Sequence, residues 1–310
     1  MSVKFSIVSW NNGRTARELS ERLSNGRLMN KTINRPFPKG HYIINLGCGL
    51  GSFPSNRFTE TSGLRINSPV SVSLAQSKQQ SLEELSSGSY VRVPIFDTDP
   101  IQILIKARAA NLPIVCRTHD RGHAGSGIVL KTVDEIRSLD SLPSASVYTL
   151  AVPKRREYRV HIGRYRGGSA HVIDITRKVR RDGMDEGVND PNRPFVWNHD
   201  NGFIFERGSV IRDMSNDPTL IKRISDMAAQ AVIALGLRFG AVDIVVEQGG
   251  RLPEANIYVL EVNTSPGMSE TTLNRYCEFF TTFANGGVLT PFSQAASSLP
   301  EDDGDITEEN

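Results

Sequence analysis

The sequence predicts an α+β protein that opens with a small α/β unit. Three observations carry this. Residues 239–246 and 257–260 are apolar, β-branched runs joined by the turn-rich segment 247–254, which reads as an antiparallel strand pair. Residues 113–117 and 128–131 form a second strand-like pair around a glycine-rich segment. Residues 4–9, 15–23 and 41–46 alternate strand, helix and strand at the start of the chain.

The chain has 310 residues, enough for about two domains. It is 38% hydrophobic and 23% charged, so it can build a core. A net charge of +2 gives no global pull toward nucleic acid. Cys48, Cys116 and Cys277 are scattered and odd in number, which fits a reducing interior without disulfides or zinc spacing. Residues 1–5 lead into a strand and not into a signal peptide. No apolar run approaches the roughly 20 residues of a membrane span. The expectation is a cytoplasmic protein with no membrane partner.

The strand at 41–46 runs into Gly47, Gly49 and Gly51. Such a loop fits a tight turn in a small α/β domain. It is also similar to the first motif of S-adenosylmethionine-dependent methyltransferases, but Pro54 and the polar residues 56–62 stand where that fold needs a helix. Ser68 and Pro69 are an N-cap and a first-turn proline, and Leu74, Lys78, Leu82 and Leu85 continue at helical spacing. Asp99 and Pro100 start another helix, with Ile101, Leu104, Ile105 and Leu112 on one face. Residues 118–127 between the next two strands are either a cover whose N–H groups hold phosphate oxygens or a plain hairpin loop. Thr132 and Glu135 have the spacing of a capping box before a short helix. Residues 146–152 read as a strand that Pro153 breaks.

From 154 to 181 there are ten Lys or Arg and two acids. Most of these cations fit a solvated strand face. Nucleic acid is the weaker alternative, because no aromatic pattern for base stacking is interleaved. Residues 182–201 are polar and read as a long loop; 195–202 are candidates to line an acceptor pocket. Residues 221–235 form an amphipathic helix ended by Gly236, and 271–284 a helix with Phe279, Phe280 and Phe283 in the core. The acidic residues 301–310 read as a disordered tail.

Chemistry concentrates at Asp243, Glu261 and Asn263. Glu261 and Asn263 are two apart on a strand, so their oxygens share a side, and the antiparallel link brings Asp243 beside them. Hard oxygen donors of this kind suit Mg²⁺. Hydrogen-bonded structural acids at strand ends have the same spacing.

Asp243 followed by Leu260, Glu261, Val262, Asn263, Thr264, Ser265, Pro266 and Gly267 resembles the metal-binding end of ATP-grasp enzymes. D-alanine–D-alanine ligases, glutathione synthetases and ribosomal-protein glutamate ligases carry similar segments. Asn67, Ser68, Pro69, Ser77 and Lys78, followed by Val93 and Pro94, resemble the helix that opens that core. The likeness covers residues 67–268. It implies an ATP-grasp fold: two α+β subdomains clasping a nucleotide (67–152 and 153–296), after an α/β domain at 1–66 and before a tail at 297–310. Small proteins of this type also occur in bacteriophages.

The resemblance further implies ATP and two Mg²⁺ ions, with Mn²⁺ as the alternative, on Asp243, Glu261 and Asn263. The nucleotide would meet Arg117, Gly125, Ser126, Gly127, the hinge residues Leu150, Val152 and Lys154, the ribose-binding Glu157, and Lys178. Arg117 replaces a family lysine, Thr118 a frequent proline, and Leu150 a frequent hinge acid. Arg159 and Lys178 would be catalytic. The implied reaction joins a carboxylate to an amine through an acyl phosphate. The carboxylate belongs to a small molecule, peptide or protein, and a homodimer is compatible with the reading. The alternatives are a non-catalytic ATP-binding regulator and a methyltransferase.

Overall fold

The computed structural model describes residues 3–29, 37–52, 64–121, 126–136, 138–181, 195–249 and 251–298. Gly125, residues 182–194 and the acidic residues 301–310 lie outside this set.

The chain opens with β1 (Phe5–Ser9), α1 (Arg14–Arg22), β2 (Gly26–Met29), β3 (Tyr42–Leu46) and β4 (Arg65–Ile66). The four strands form a parallel sheet in the order β2-β1-β3-β4. The strands β1 and β3 and the helix α1 agree with the sequence reading to within one residue. The strand β2 went unread because it is short, partly exposed and without clean alternation. Past β3, Gly47 and Gly51 adopt φ of +74° and +80°, which favours glycine.

Next come α2 (Pro69–Gln76) and α3 (Lys78–Ser87). The spacing predicts one helix here, and the chain makes two. Ser77 leaves the helical region with ψ 116°; its N–H closes α2 on the Ser73 carbonyl. Its Oγ opens α3 by accepting from the Gln80 N–H at 3.2 Å. Serine competes with helix by bonding local backbone, so it serves better as a cap than as an interior residue.

A second sheet holds β5 (Phe96–Asp97), β6 (Ile114–Arg117), β7 (Ile128–Lys131) and β8 (Val147–Leu150) in the antiparallel order β5-β8-β6-β7, with α4 (Pro100–Ala110) packed on it. The buried face of α4 is Ile103, Leu104 and Ala107, while Ile101 and Ile105 are 49% and 57% exposed. The apolar run 101–107 offers two stripes, and the one with the small Ala107 faces the sheet. The capping-box bonds do form: Glu135 Oε2 accepts from the Thr132 N–H at 2.7 Å, and Thr132 Oγ1 from the Glu135 N–H at 3.3 Å. They close only a turn, since Leu139–Ser141 starts a separate 3₁₀ turn three residues beyond Ile136.

The third sheet positions the site. It contains β9 (Lys154–Arg164), β10 (Ala170–Arg180), β11 (Phe203–Glu206), β12 (Phe239–Glu247) and β13 (Ile257–Asn263), antiparallel in the order β11-β10-β9-β12-β13. Between β11 and β12 run α5 (Gly208–Asn216) and α6 (Pro218–Ala234); α7 (Glu270–Asn285) and the short α8 (Phe292–Ala295) follow β13. One face of the sheet sends Tyr158, Val160, Val242, Ile244, Val259 and Val262 into a core with Ile224, Ala228 and Val232 of α6. By strict alternation, Glu157 and Arg159, Thr176 and Lys178, and Asp243 belong to the opposite face.

On β13 the alternation slips. Asp243 pairs with Glu261, but Ile244 pairs with Val259, leaving Leu260 as an extra residue. This β-bulge resets the phase. Ile257 and Val259 face the α6 core, whereas Glu261 and Asn263, also odd-numbered, face the other way with Asp243.

The opposite face is closed at one end by α7. Phe279 covers Gly163, where an added Cβ would lie 2.4 Å from the ring. Phe279 is fully buried among Tyr165, Phe239 and Phe280. Gly163→Ala is therefore expected to destabilise by about 1–3 kcal/mol, the usual cost of overpacking. A urea unfolding midpoint equal to that of the parent protein would refute this packing.

Candidate active site

An open cleft separates the β5-β8-β6-β7 sheet from the β11-β10-β9-β12-β13 sheet. Its walls unite residues far apart in sequence: Val115 and Arg117 from β6, Thr149 and Leu150 from β8, Glu157 from β9, Lys178 from β10, Asp243 from β12, and Leu260 and Glu261 from β13. The bulge lets the consecutive Leu260 and Glu261 both line it. Four cations (Lys78, Arg117, Lys154, Lys178) and three carboxylates (Glu157, Asp243, Glu261) line it.

Glu157 lies between two ammoniums. Its Oε2 accepts from Lys154 Nζ at 2.9 Å and its Oε1 from Lys178 Nζ at 2.7 Å. Burial alone would raise this carboxyl, but the two lysines outweigh it and hold it at about 2. Burial conversely lowers Lys154, with Glu157 opposing. The Lys154 ammonium also lies over the Phe195 and Trp197 rings, 5.0 and 5.3 Å from their centroids.

At the far side of the cleft, Asp243 and Glu261 stand opposite each other on paired strands. Asn263 Nδ2 donates to Glu261 Oε1 at 3.2 Å and approaches Asp243 Oδ2 at 3.4 Å. Lys78 Nζ donates to Glu261 Oε2 at 2.5 Å. Burial works to raise Glu261, and Lys78 and Arg117 outweigh it, leaving it well below the usual carboxylate range. Arg159 grips Asp243 with both ends of its fork, Nε to Oδ1 at 2.8 Å and Nη2 to Oδ2 at 2.9 Å. Burial pushes Asp243 up, and Arg159 pulls the other way.

Arg117 Nε is buried and has no hydrogen-bond partner among the described residues. Burial lowers its guanidinium, with Glu261 opposing. An unpaired buried donor is costly unless a ligand completes it, and an anionic oxygen fits the role.

The structure thus brings Arg117, Ser126, Leu150, Val152, Lys154, Glu157, Lys178, Asp243 and Glu261 to one cleft. Gly127, with φ +72°, is wedged against Thr118 and His119 beside it. Gly125 lies outside the described residues. Two sequence-predicted residues stand elsewhere than expected. Arg159, expected on phosphate or substrate, is buried beneath the cleft on Asp243. Asn263 stands behind the two carboxylates, its amide nitrogen toward them.

Lys78 went unassigned as a site residue, although Ser77 and Lys78 carried part of the resemblance; a lysine at a helix start was the available signal. The basic stretch is less solvated than expected. Arg156 and Arg177 both bind Asp213 of α5, at 2.9 and 3.0 Å. The glycine loop at 47–51 is pinned to α2 instead of the cleft: Gln76 Nε2 donates to the Gly47 carbonyl at 2.8 Å, and the Leu50 N–H to Ser73 Oγ at 2.6 Å. Among the described residues, no group of three or more His, Cys, Asp and Glu side chains has metal-holding geometry. The oxygen set here is two carboxylates and an amide. No helix among the described residues is long and apolar enough to cross a membrane.

This chain has the ATP-grasp fold, shown by its likeness over nearly the whole chain to solved structures of that fold. It is similar to N5-carboxyaminoimidazole ribonucleotide synthetase from Thermotoga maritima, with TM-score 0.57 and 13% identity over 94% of this chain and 77% of that one. The corresponding synthase from Aspergillus clavatus, in complex with ADP and 5-aminoimidazole ribonucleotide, gives 0.58 and 12% over 98% and 79%. The ATP-grasp ligase PsnB, complexed with a minimal precursor, gives 0.55 and 14% over 92% and 98%. No protein-family model matches the sequence, and no curated protein matches it.

Proposed function

We propose that the protein is an ATP-dependent carboxylate–amine ligase. The observation that carries this is the meeting of Asp243 and Glu261 on paired strands across one cleft from Arg117, whose buried Nε has no partner among the described residues. Asp243, Glu261 and, once its amide is turned over, the Asn263 oxygen are the donors that would hold Mg²⁺, or Mn²⁺ in its place. The fit is a hard-oxygen set beside a cationic wall, with Arg159 and Lys78 neutralising the acids in its absence. When bound, the metal would supply charge neutralisation of the nucleotide phosphates.

The remaining work falls to the chain. Arg117 and Lys178 would hold the triphosphate, and Leu150, Val152 and Leu260 would pack the base. Arg159 would act as the orienter of Asp243, a change from the direct role expected of it. Glu157 already accepts from two ammoniums and would place both, so its ribose contact would use its remaining lone pairs. In the reaction, the γ-phosphoryl group passes to a carboxylate oxygen and ADP leaves. The amine then attacks the acyl carbon, and phosphate leaves with its bonding pair and takes up the proton that the nitrogen gives up. Such transfer is mostly positioning and charge stabilisation. The test is phosphate release from ATP across a panel of amino acids and peptides. No release with any acceptor, despite ATP binding, would favour a non-catalytic nucleotide-binding protein, to which the bidentate grip of Arg159 on Asp243 is also suited.

The cations divide by this reading. Lys178→Ala is expected to lower turnover by about a hundredfold, the scale of losing one preorganised donor to the reacting group. Arg166→Ala and Arg181→Ala remove the same charge nearby and should stay within about twofold, since exposed charges contribute little. Arg166 rests on Tyr42 and Phe283, away from the cleft. Parallel loss of RNA or DNA affinity in all three variants, with ATP turnover untouched, would instead point to a shared nucleic-acid surface.

A further inference from the structure

The break between α2 and α3 is held from outside both helices. Asp120 lies three residues beyond Arg117, past the end of β6. Its Oδ1 accepts from the Ser77 hydroxyl at 3.1 Å and from the Gln79 N–H at 3.2 Å. Its main-chain carbonyl accepts from the Lys78 N–H at 3.0 Å. Three bonds thus fall on three consecutive residues, 77, 78 and 79. The middle one is Lys78, whose ammonium reaches across to Glu261 at 2.5 Å.

Both ends of this connection touch the cleft. Arg117, Lys78 and Glu261 all line it. A lysine side chain has many rotamers, so where its ammonium sits depends on how firmly its root is held. Here the root is bonded to the end of the strand that carries Arg117. The carboxylate also stands at a helix start, where the backbone favours negative charge.

We propose that Asp120 is a positioning residue of the nucleotide site: it fixes the backbone of Lys78 and thereby the place of that ammonium between Glu261 and the cleft. This rests on the nucleotide–metal reading of the cleft. With Glu261 free of other ligands, the ammonium neutralises it. With a cation on Glu261, the anchored lysine is left facing the cleft and its anionic ligand. A plain helix cap would differ: its removal would lower the melting temperature and leave affinity alone.

The test is a double-mutant cycle read by calorimetry, with a non-hydrolysable ATP analogue and Mg²⁺ as the probe. Asp120→Ala and Lys78→Met should each weaken binding by about tenfold, the scale of one net hydrogen bond or ion pair. The double variant should bind no more weakly than Lys78→Met alone, because Asp120 acts through Lys78. Asp120→Asn, which keeps the Oδ1 acceptor, should stay within about threefold of the parent protein. Parental affinity in Asp120→Ala, or losses that multiply to about a hundredfold in the double variant, would overturn the proposal. Should Asp120→Ala not fold, Ser77→Ala removes one arm of the same contact and enters the same cycle. A parent protein that binds the analogue tightly while the cycle is additive defeats this proposal alone. A parent protein that binds no nucleotide defeats the reading of the cleft, and the proposal with it.

Discussion

Glutamine in place of Glu261 is expected to lower ADP formation by on the order of a thousandfold, with the fold retained. The carboxylate has two duties in the cleft. On the proposed reading it is a metal ligand shared with Asp243, and it also neutralises Lys78 and Arg117. Glutamine keeps the shape and one acceptor oxygen but loses the charge. Several kcal/mol of barrier follow if phosphate charge is no longer compensated at that point. The loss of the Lys78 partner also costs stability, because the pair is mostly buried, at 12% and 26% exposed, and its removal leaves the ammonium short of an opposing charge. The two effects separate in the Lys78→Met/Glu261→Gln double variant, which should regain the melting temperature and not the turnover. Steady-state phosphate release with an acceptor identified by the panel is the measurement. Turnover within about tenfold of the parent protein would remove Glu261 from the metal site.

Methionine in place of Arg207 is expected to destabilise the protein by about 3–5 kcal/mol, the largest stability loss foreseen here. Arg207 and Asp174 form an ion pair with neither side chain exposed, Nη2 to Oδ2 at 2.6 Å and Nε to Oδ1 at 3.1 Å. Thr272 Oγ1 donates to the same Oδ2 at 2.6 Å, and the Ile175 N–H to Oδ1 at 2.9 Å. The network therefore joins β10, the start of α5 and α7. Without the guanidinium, a buried carboxylate keeps two neutral donors and no opposing charge from its partner. Arg212→Ala is the control. Its link to Glu206 is exposed on the arginine side, so it should cost under about 1 kcal/mol. Urea unfolding of both variants decides it. Equal midpoints would mean that the buried pair is replaceable, as some buried pairs are by apolar groups of like volume.

The site was legible where neighbours in space are neighbours in sequence, or are joined by a short turn. Asp243, Glu261 and Asn263 meet across such a turn, and two uninterrupted apolar runs identified their strands. Contacts across long stretches were not legible. Asp213 is 57 residues from Arg156 and 36 from Arg177, so nothing local marks those arginines as paired. Arg159 was placed by analogy against phosphate, and only the β9 to β12 register sets it directly beside Asp243. Lys78 illustrates a different limit. Its helix was read as continuous because Leu74, Leu82 and Leu85 keep a helical period. The break at Ser77 depends on Asp120, which arrives from another part of the chain. On α4 the sequence offered two apolar stripes, and only the packing of Ala107 chooses between them.

The extra residue at Leu260 also sets how this segment can change over time. Point substitutions at 257–263 alter one contact each and leave the others in place. A change of length depends on where it falls. Deleting Leu260 would restore regular pairing and leave Glu261 directly after Val259, so Glu261 and Asn263 would stay on the side of Asp243. Loss of the regularly paired Val262 would instead carry Asn263 by a half-step to the α6 side. The segment is thus open to exchange of side chains and to loss of its one unpaired residue, and a gap in a sequence sharing this site belongs at 260.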